Sequence, residues 1–439
     1  MLLSTITDIK TISCGFYHTA VLTNLGSLYT TGRNASGQLG INSNNDTNIF
    51  TLCTNVDDIQ QNNSIIAISC GAFYSLLLTS SGSLYATGSN EFGQFGNSIN
   101  INTNIFTLNP YDIMNHIQGK IVSISCGYAS TAILTDSGVL YTTGSNQYGQ
   151  LGIKSNINTN LFTLCTDVDS IQGKITQVSC GSYHTALISD FKIYTTGYNF
   201  SGQLGIDSND DKNIFTLCTD VDYMQENKNI ISISCGQYHT ALLRSSLYIY
   251  TTGANIHGQL GIGSNSDKNI FTRCIYVDGI DGNTISISCG YYHTALLTKS
   301  GLLYTTGYNK YGQLGIGSNS DTDVFTLCEN NYNIQKTIAL VSCGAHHTAL
   351  ISNLQIYTTG YNTYGGLGIG SNSDKNVFTQ TNLGTKINDN NDNNSNNNNN
   401  NSNNNSNNNS NNNKCQPVFW NNSGNNKISK NTKYSCFKP

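Results

Sequence analysis

The tripeptide Ser-Cys-Gly occurs seven times in this chain, and no other feature restricts its folding as strongly. Its cysteines are Cys14, Cys70, Cys126, Cys180, Cys235, Cys289 and Cys343, at successive spacings of 56, 56, 54, 55, 54 and 54 residues. Two further signatures keep the same register. One is Gly32-Arg33-Asn34-Ala35-Ser36-Gly37-Gln38-Leu39-Gly40, which returns as Gly307-Tyr308-Asn309-Lys310-Tyr311-Gly312-Gln313-Leu314-Gly315. The other is Phe50-Thr51-Leu52-Cys53, which returns as Phe162-Thr163-Leu164-Cys165 and ends at Phe378-Thr379. A period in this range marks a repeat architecture.

Each repeat reads as four short strands. In the third, Lys120 to Ser125 alternates apolar and polar residues, and Thr131 to Thr135 and Val139 to Thr143 flank the turn Asp136-Ser137-Gly138. A Gly- and Asn-rich loop leads to a fourth strand around Leu161 to Cys165. Such turn residues supply the conformations that tight hairpins need. One four-stranded sheet cannot bury both faces, whereas seven stacked radially can. The expected fold is therefore all-β: a single seven-bladed β-propeller of four-stranded antiparallel blades over residues 1–380. The last blade is expected to take its outer strand from Phe378-Thr379, and not from Leu2 to Ile6.

The chain then changes character. Residues 381–413 read as an Asn-rich disordered linker, with 20 asparagines among the 26 residues 388–413. Such a stretch lacks the apolar surface to form a core. Residues 414–439 form a short basic tail. Residues 1–379 carry 15 basic and 23 acidic side chains, and residues 380–439 carry 6 and 2. An acidic propeller excludes a whole-chain nucleic-acid binder, and no run of apolar residues is long enough for a membrane span. The first residues, Met1-Leu2-Leu3-Ser4-Thr5-Ile6, are too short and polar for a signal peptide. The 14 cysteines are expected reduced. These features suggest a cytoplasmic or nuclear monomer. Cys436-Phe437-Lys438-Pro439 fits a prenylation signal poorly.

The motifs Ser13 to Ala20 (Ser-Cys-Gly-x-x-His-Thr-Ala), Gly26 to Tyr29 and Gly32 to Gly40 resemble those of the regulator of chromosome condensation family over residues 10–379. The resemblance implies the propeller fold and a regulatory role through protein partners, in some members as nucleotide-exchange factors for a small GTPase. Family members often carry tryptophan before the glycine that follows the third strand. Here threonine stands there in every repeat, as Thr31, Thr143 and Thr306, so an apolar wedge between blades is expected to be missing. Light-sensing members use clustered tryptophans. The one tryptophan here is Trp420, outside the repeats.

Residues repeated in every blade are expected to be structural. His18, His184, His239, His293 and His347 occupy one repeat position, where Tyr74 and Ser130 stand in repeats two and three. They read as hydrogen-bonding groups at neighbouring glycine loops, spread around a ring and unable to converge on one metal ion. The chain has no Cys-x-x-Cys pair, and Asp207-Ser208-Asn209-Asp210-Asp211 lacks the glycine and distal glutamate of an EF-hand loop. Neither a metal nor a cofactor is expected, and no catalytic constellation stands out.

Function has to break the symmetry. The two residues between Ser-Cys-Gly and the histidine position vary, and almost every repeat places an aromatic there. Tyr17, Phe73, Tyr128, Tyr183, Tyr238 and Tyr292, with His346 completing the ring, form the candidate partner-binding set. Exposed aromatics of this kind suit protein recognition, and packing to close the channel mouth is the competing role. A protein is the expected partner, with a small GTPase as the alternative. For exchange, the family's acidic positions are replaced by Tyr17, Phe73, Tyr183 and Tyr238, leaving His346 as the match. Asp57, Asp58, Asp169, Asp222 and Asp278 are expected on the opposite face, steering a basic partner.

Overall fold

Short β-branched and aromatic runs broken by Gly and Asx give this chain no choice but small antiparallel sheets. A computed structural model describes residues 9–381, apart from 57–58, 60–63, 111–114, 166–170, 172, 219–229, 245–247, 275–283, 329–333 and 335–337. The linker, the basic tail, Leu2 to Ile6, Cys436 and the five aspartates just named lie outside the described residues.

The described chain forms seven four-stranded antiparallel sheets, each from one repeat in sequence order. In the first blade the strands are Ile9–Cys14, His18–Thr23, Leu28–Gly32 and Thr47–Leu52. The seventh comprises Ile338–Cys343, His347–Ser352, Gln355–Gly360 and Lys375–Gln380. Its outer strand comes from the end of the repeats, as the position of Phe378 requires.

The second strands are buried on both faces along their whole length. The apolar core lies between blades. Leu22 and Leu28 of blade one pack with Ile65, Ile68 and Phe106 of blade two. Ring closure uses the same contact: Ile12, Val21 and Phe50 pack with Ala349, Ile351 and Ile356 of blade seven. Each blade face is thus covered by its neighbour, and only short strand edges remain free.

Turn chemistry follows the register. Where the second hairpin has only two turn residues, both adopt left-handed conformations: Asp190 and Phe191 have φ of 47° and 63°, and Asn353 and Leu354 have 49° and 62°. That is the type I′ requirement, and it places Phe191 and Leu354 in a conformation that costs a bulky side chain ~1–2 kcal/mol.

The apolar wedge is missing, as expected, and the threonine that replaces the family's tryptophan is a polar clamp between blades. Thr252 Oγ1 lies 2.9 Å from the Gly202 carbonyl of the preceding blade and 2.8 Å from the Lys268 carbonyl of its own outer strand. The bond recurs in all seven blades, and Thr31 extends it to Gly365 across the closure. The cysteines that follow the fourth strands are donors, buried except for the partly exposed Cys328. Cys53 donates to the Leu39 carbonyl at 3.3 Å, and in blade two Asn109 Nδ2 does the same toward Phe95.

Candidate functional site

A second inter-blade bond sets the channel mouth. His239 Nε2 lies 3.0 Å from Thr294 Oγ1 of the next blade, and Thr294 Oγ1 donates to the Gln259 carbonyl at 2.8 Å. The hydroxyl proton is committed to that carbonyl, so the histidine must donate from Nε2, leaving Nδ1 as a neutral acceptor. The same arrangement joins His18 to Ser75, His184 to Thr240, His293 to Thr348 and His347 to Thr19. The hydrogen bond therefore reaches a hydroxyl of the next blade, and the glycine contributes packing surface. A Cβ at Gly236 would collide with the His239 ring. Burial lowers His18, His184, His239 and His347 to about 3, with repulsion from His347 adding to the effect at His18 and from His239 at His184. They are neutral structural groups. In blade two, Tyr74 reaches further and donates to the Ser130 carbonyl at 2.6 Å. It thus extends to the position that histidine fills in most blades, and there blade three carries the small Ser130.

Above this girdle lie the candidate aromatics, all half-buried on one face. They form a ring around the mouth. Phe73 and Tyr128 have centroids 5.8 Å apart, Tyr128 and Tyr183 stack at 5.7 Å, Tyr183 and Tyr238 at 5.8 Å, and Tyr238 and Tyr292 lie 6.1 Å apart. Tyr308 links Tyr292 to His346 at 6.3 and 6.0 Å, His346 lies 6.4 Å from Tyr17, and Phe16 links Tyr17 to Phe73 at 5.7 and 5.4 Å. At the centre, Phe16 meets Tyr291 edge-on at 4.0 Å across the mouth. Phe16 and Tyr291 plug the channel, while the ring positions pack side by side and keep part of each ring exposed. Burial and neighbouring hydroxyls push Tyr183 up to about 12, so the ring is uncharged at neutral pH.

Beside the plug, the seven Cys-Gly turns with Phe16, Tyr128 and Tyr291 line an open space of about 70 Å³, far below the ~300 Å³ a small-molecule site needs. Burial pushes Cys180 up to about 11 and Cys126, Cys235 and Cys343 to about 12, keeping these thiols protonated. Among the described residues no cluster of three or more His, Cys, Asp or Glu side chains could hold a metal. Asp211, the last acid of the candidate calcium loop, accepts from the Asn199 backbone N–H at 2.7 Å, and Asp210 accepts from Ser208.

A second tier of the site comes from the Gly-x-Asn loop, which the sequence reading assigned only a structural part. The residue after the third-strand glycine donates its N–H to the ring residue of its own blade. Arg33 bonds to Tyr17, Tyr198 to Tyr183, Ala254 to Tyr238, Tyr308 to Tyr292 and Tyr361 to His346, all at 2.7–2.9 Å. This bond superposes two loops that lie about 16 residues apart in sequence and widens the collar with Tyr198, Tyr308 and Tyr361. Two residues beyond carry apolar side chains into solvent: Phe200 is 74% exposed and Ile256 is 68% exposed. His257 pairs with Asp321 of the next blade at 2.8 Å.

The repeats and geometry agree with known proteins. A profile of the RCC1-like domain matches residues 2–350. The ultraviolet-B receptor UVR8 of Arabidopsis thaliana is 30% identical over 370 residues, covering 83% of this chain and 80% of that protein. The human X-linked retinitis pigmentosa GTPase regulator is 34% identical over 345 residues, which is 78% of this chain but 32% of the regulator, so the chain spans about one third of that relative. Among solved structures, human WBSCR16 superposes with a TM-score of 0.68 at 23% identity, covering 80% of this chain and 88% of that one. Prp20p of Saccharomyces cerevisiae, described together with its binding to Gsp1p and histones, gives 0.69 at 17% identity, covering 87% of this chain and 89% of that one. At those identities the structures speak for the fold alone. With the profile spanning most of the seven repeats and a relative matched along most of its own length, this chain is a member of the RCC1-like domain family.

Proposed function

We propose that this propeller is a non-catalytic regulatory scaffold that captures a protein partner on its aromatic loop face. One observation carries the reading: a collar of partly exposed rings, flanked by the solvent-exposed Phe200 and Ile256, surrounds the channel mouth. Large aromatics bury much area at low rotamer cost, and central anchors of this type contribute ~2 kcal/mol or more each to binding. The light response in the name of UVR8 is not carried over, because the single tryptophan, Trp420, lies outside the repeats.

The test is capture of partner by the full chain against Tyr183→Ala with Tyr238→Ala. Each tyrosine stacks on its neighbours, so the pair lowers the thermal midpoint by a few degrees. Partner capture is lost. Undiminished capture by the folded double variant would place the interface elsewhere.

Exchange on a small GTPase is the second reading, favoured by a GTPase regulator among the relatives. His346 is the residue that the sequence offers for it. Its ring is hemmed in by Tyr291, Tyr308, Tyr311 and Tyr361, which weakens that role. Accelerated release of a fluorescent GDP analogue from a GTPase by the full chain, lost in His346→Ala, would establish it.

A further inference from the structure

The residue after the third-strand glycine occupies a seat between rings. Arg33 shows what fits there: its guanidinium carbon lies 5.8, 5.2 and 5.0 Å from the centroids of Tyr17, Phe73 and Tyr364. These rings come from its own blade, the next blade and the preceding blade, and the distances are those of cation–π contacts. Tyr198 fills the equivalent seat in blade four, 6.3, 5.9 and 4.8 Å from Tyr183, Tyr238 and Tyr148.

Blade five keeps two of the three walls without an occupant, with Ser201 of the preceding blade standing where Tyr148 and Tyr364 form the third. Ala254 makes the same backbone bond, to the Tyr238 carbonyl at 2.7 Å. The flanking rings Tyr238 and Tyr292 are both present, 6.1 Å apart. Ser89 and Ser145 are the other small residues at this position, but each adjoins Ala129 where a ring would stand, so neither seat has both walls. Exposed Asp267 accepts from the Asn255 N–H at 2.8 Å, one residue along the chain from Ala254, and pairs with no cation among the described residues.

We infer that the notch over Ala254, walled by Tyr238 and Tyr292, receives an arginine side chain from an extended segment of a partner protein, as Arg33 fills blade one from within. The inference rests on the aromatic face being the binding surface, and adds the chemistry of what binds. Arginine fits better than lysine because its planar guanidinium stacks on ring faces and is weakly hydrated. The lysine-only tail of this chain is thereby a poorer occupant. The acidic balance of residues 1–379 favours approach of a basic segment.

The experiment is fluorescence anisotropy of the full chain with a labelled (Gly-Gly-Arg)₄ peptide, and with versions carrying lysine or uncharged citrulline in place of arginine. The arginine peptide should bind about 5- to 30-fold more tightly than the citrulline peptide, the span of one or two cation–π contacts. Ala254→Arg should fill the notch from within and abolish that preference. Ala254→Ser should keep it. Ser137→Arg, which adds the same charge at an exposed hairpin on the opposite face, should also keep it. Arg33→Ala should open a second seat and increase the binding stoichiometry.

Equal binding of arginine and citrulline peptides, absence of binding, or an unchanged preference in Ala254→Arg overturns the inference. So does a dimer in sedimentation that Ala254→Arg dissociates, which would assign the notch to a second copy. If natural-partner capture is lost in the Tyr183→Ala, Tyr238→Ala variant but survives Ala254→Arg, the aromatic face stands and the arginine seat falls.

Discussion

The histidine girdle makes the propeller acid-sensitive by a calculable amount. His18, His184, His239 and His347 are held at about 3 in the fold, and His293 is also well below its ordinary value. An unfolded histidine titrates near 6.5. The folded values are depressed, so below pH 6.5 the unfolded chain binds more protons than the folded one. Stability contributed by the girdle is fully present above pH 6.5 and is lost as pH falls toward 3. At pH 6 each of the four held at about 3 costs ~0.8 kcal/mol and at pH 5 ~2 kcal/mol. Those four together approach ~8 kcal/mol at pH 5, comparable with the whole stability of a typical domain, and His293 acts in the same direction. Urea unfolding followed by far-ultraviolet circular dichroism at pH 8, 7, 6 and 5 measures the loss. His239→Gln keeps a donor for Thr294 but cannot charge. Its stability should be lower than wild type at pH 7 by ~1 kcal/mol, yet fall ~2 kcal/mol less between pH 7 and 5. Parallel pH profiles for wild type and His239→Gln would refute the buried, neutral assignment.

Three further outcomes follow from particular bonds. Thr252→Val preserves shape but leaves the Gly202 and Lys268 carbonyls without their shared donor, and should cost ~1–3 kcal/mol in urea unfolding; a neutral result would remove the clamp from the account. Phe191→Gly relieves the left-handed strain of a half-exposed turn residue and should raise stability by ~1 kcal/mol, read as a higher thermal midpoint; a lower midpoint would mean that its side-chain packing outweighs the strain. The twelve described cysteines, buried or nearly so and free, should resist 5,5′-dithiobis(2-nitrobenzoate) in the native state and react once denatured; rapid native labelling of Cys53 or Cys180 would contradict the protonated, enclosed thiols.

Much of the architecture was legible because three signatures in one register, repeated seven times, leave few ways to bury apolar strands. The girdle was half legible. The histidines stood out, but their partners did not, since those lie about 55 residues away in the next blade. A signal existed: the residue after the histidine position is a hydroxyl in every repeat, including Tyr74-Ser75 and Ser130-Thr131, where no histidine stands. The clamp was not legible for a related reason. The bulky apolar wedge is missing at Thr31 and Thr252, as expected, but the sequence does not show that two carbonyls from adjacent blades converge on the small hydroxyl there. At the candidate site, the inner aromatics were readable from their place before the histidine. Tyr198, Tyr308, Tyr361 and Arg33 were not, because only the propeller register and one backbone bond bring the Gly-x-Asn loop beside them.

The central claim is that partners dock on the aromatic loop face. Site-specific photocrosslinking in cells tests it in one measurement, with p-benzoylphenylalanine placed in the full chain at Phe200, exposed on that face, or at Ser137, exposed at a hairpin on the opposite face. The account predicts a covalent protein adduct from position 200, lost when Tyr183→Ala and Tyr238→Ala are added, and none from position 137. Adducts from position 137 alone, or adducts from position 200 that persist without the two tyrosines, would contradict it.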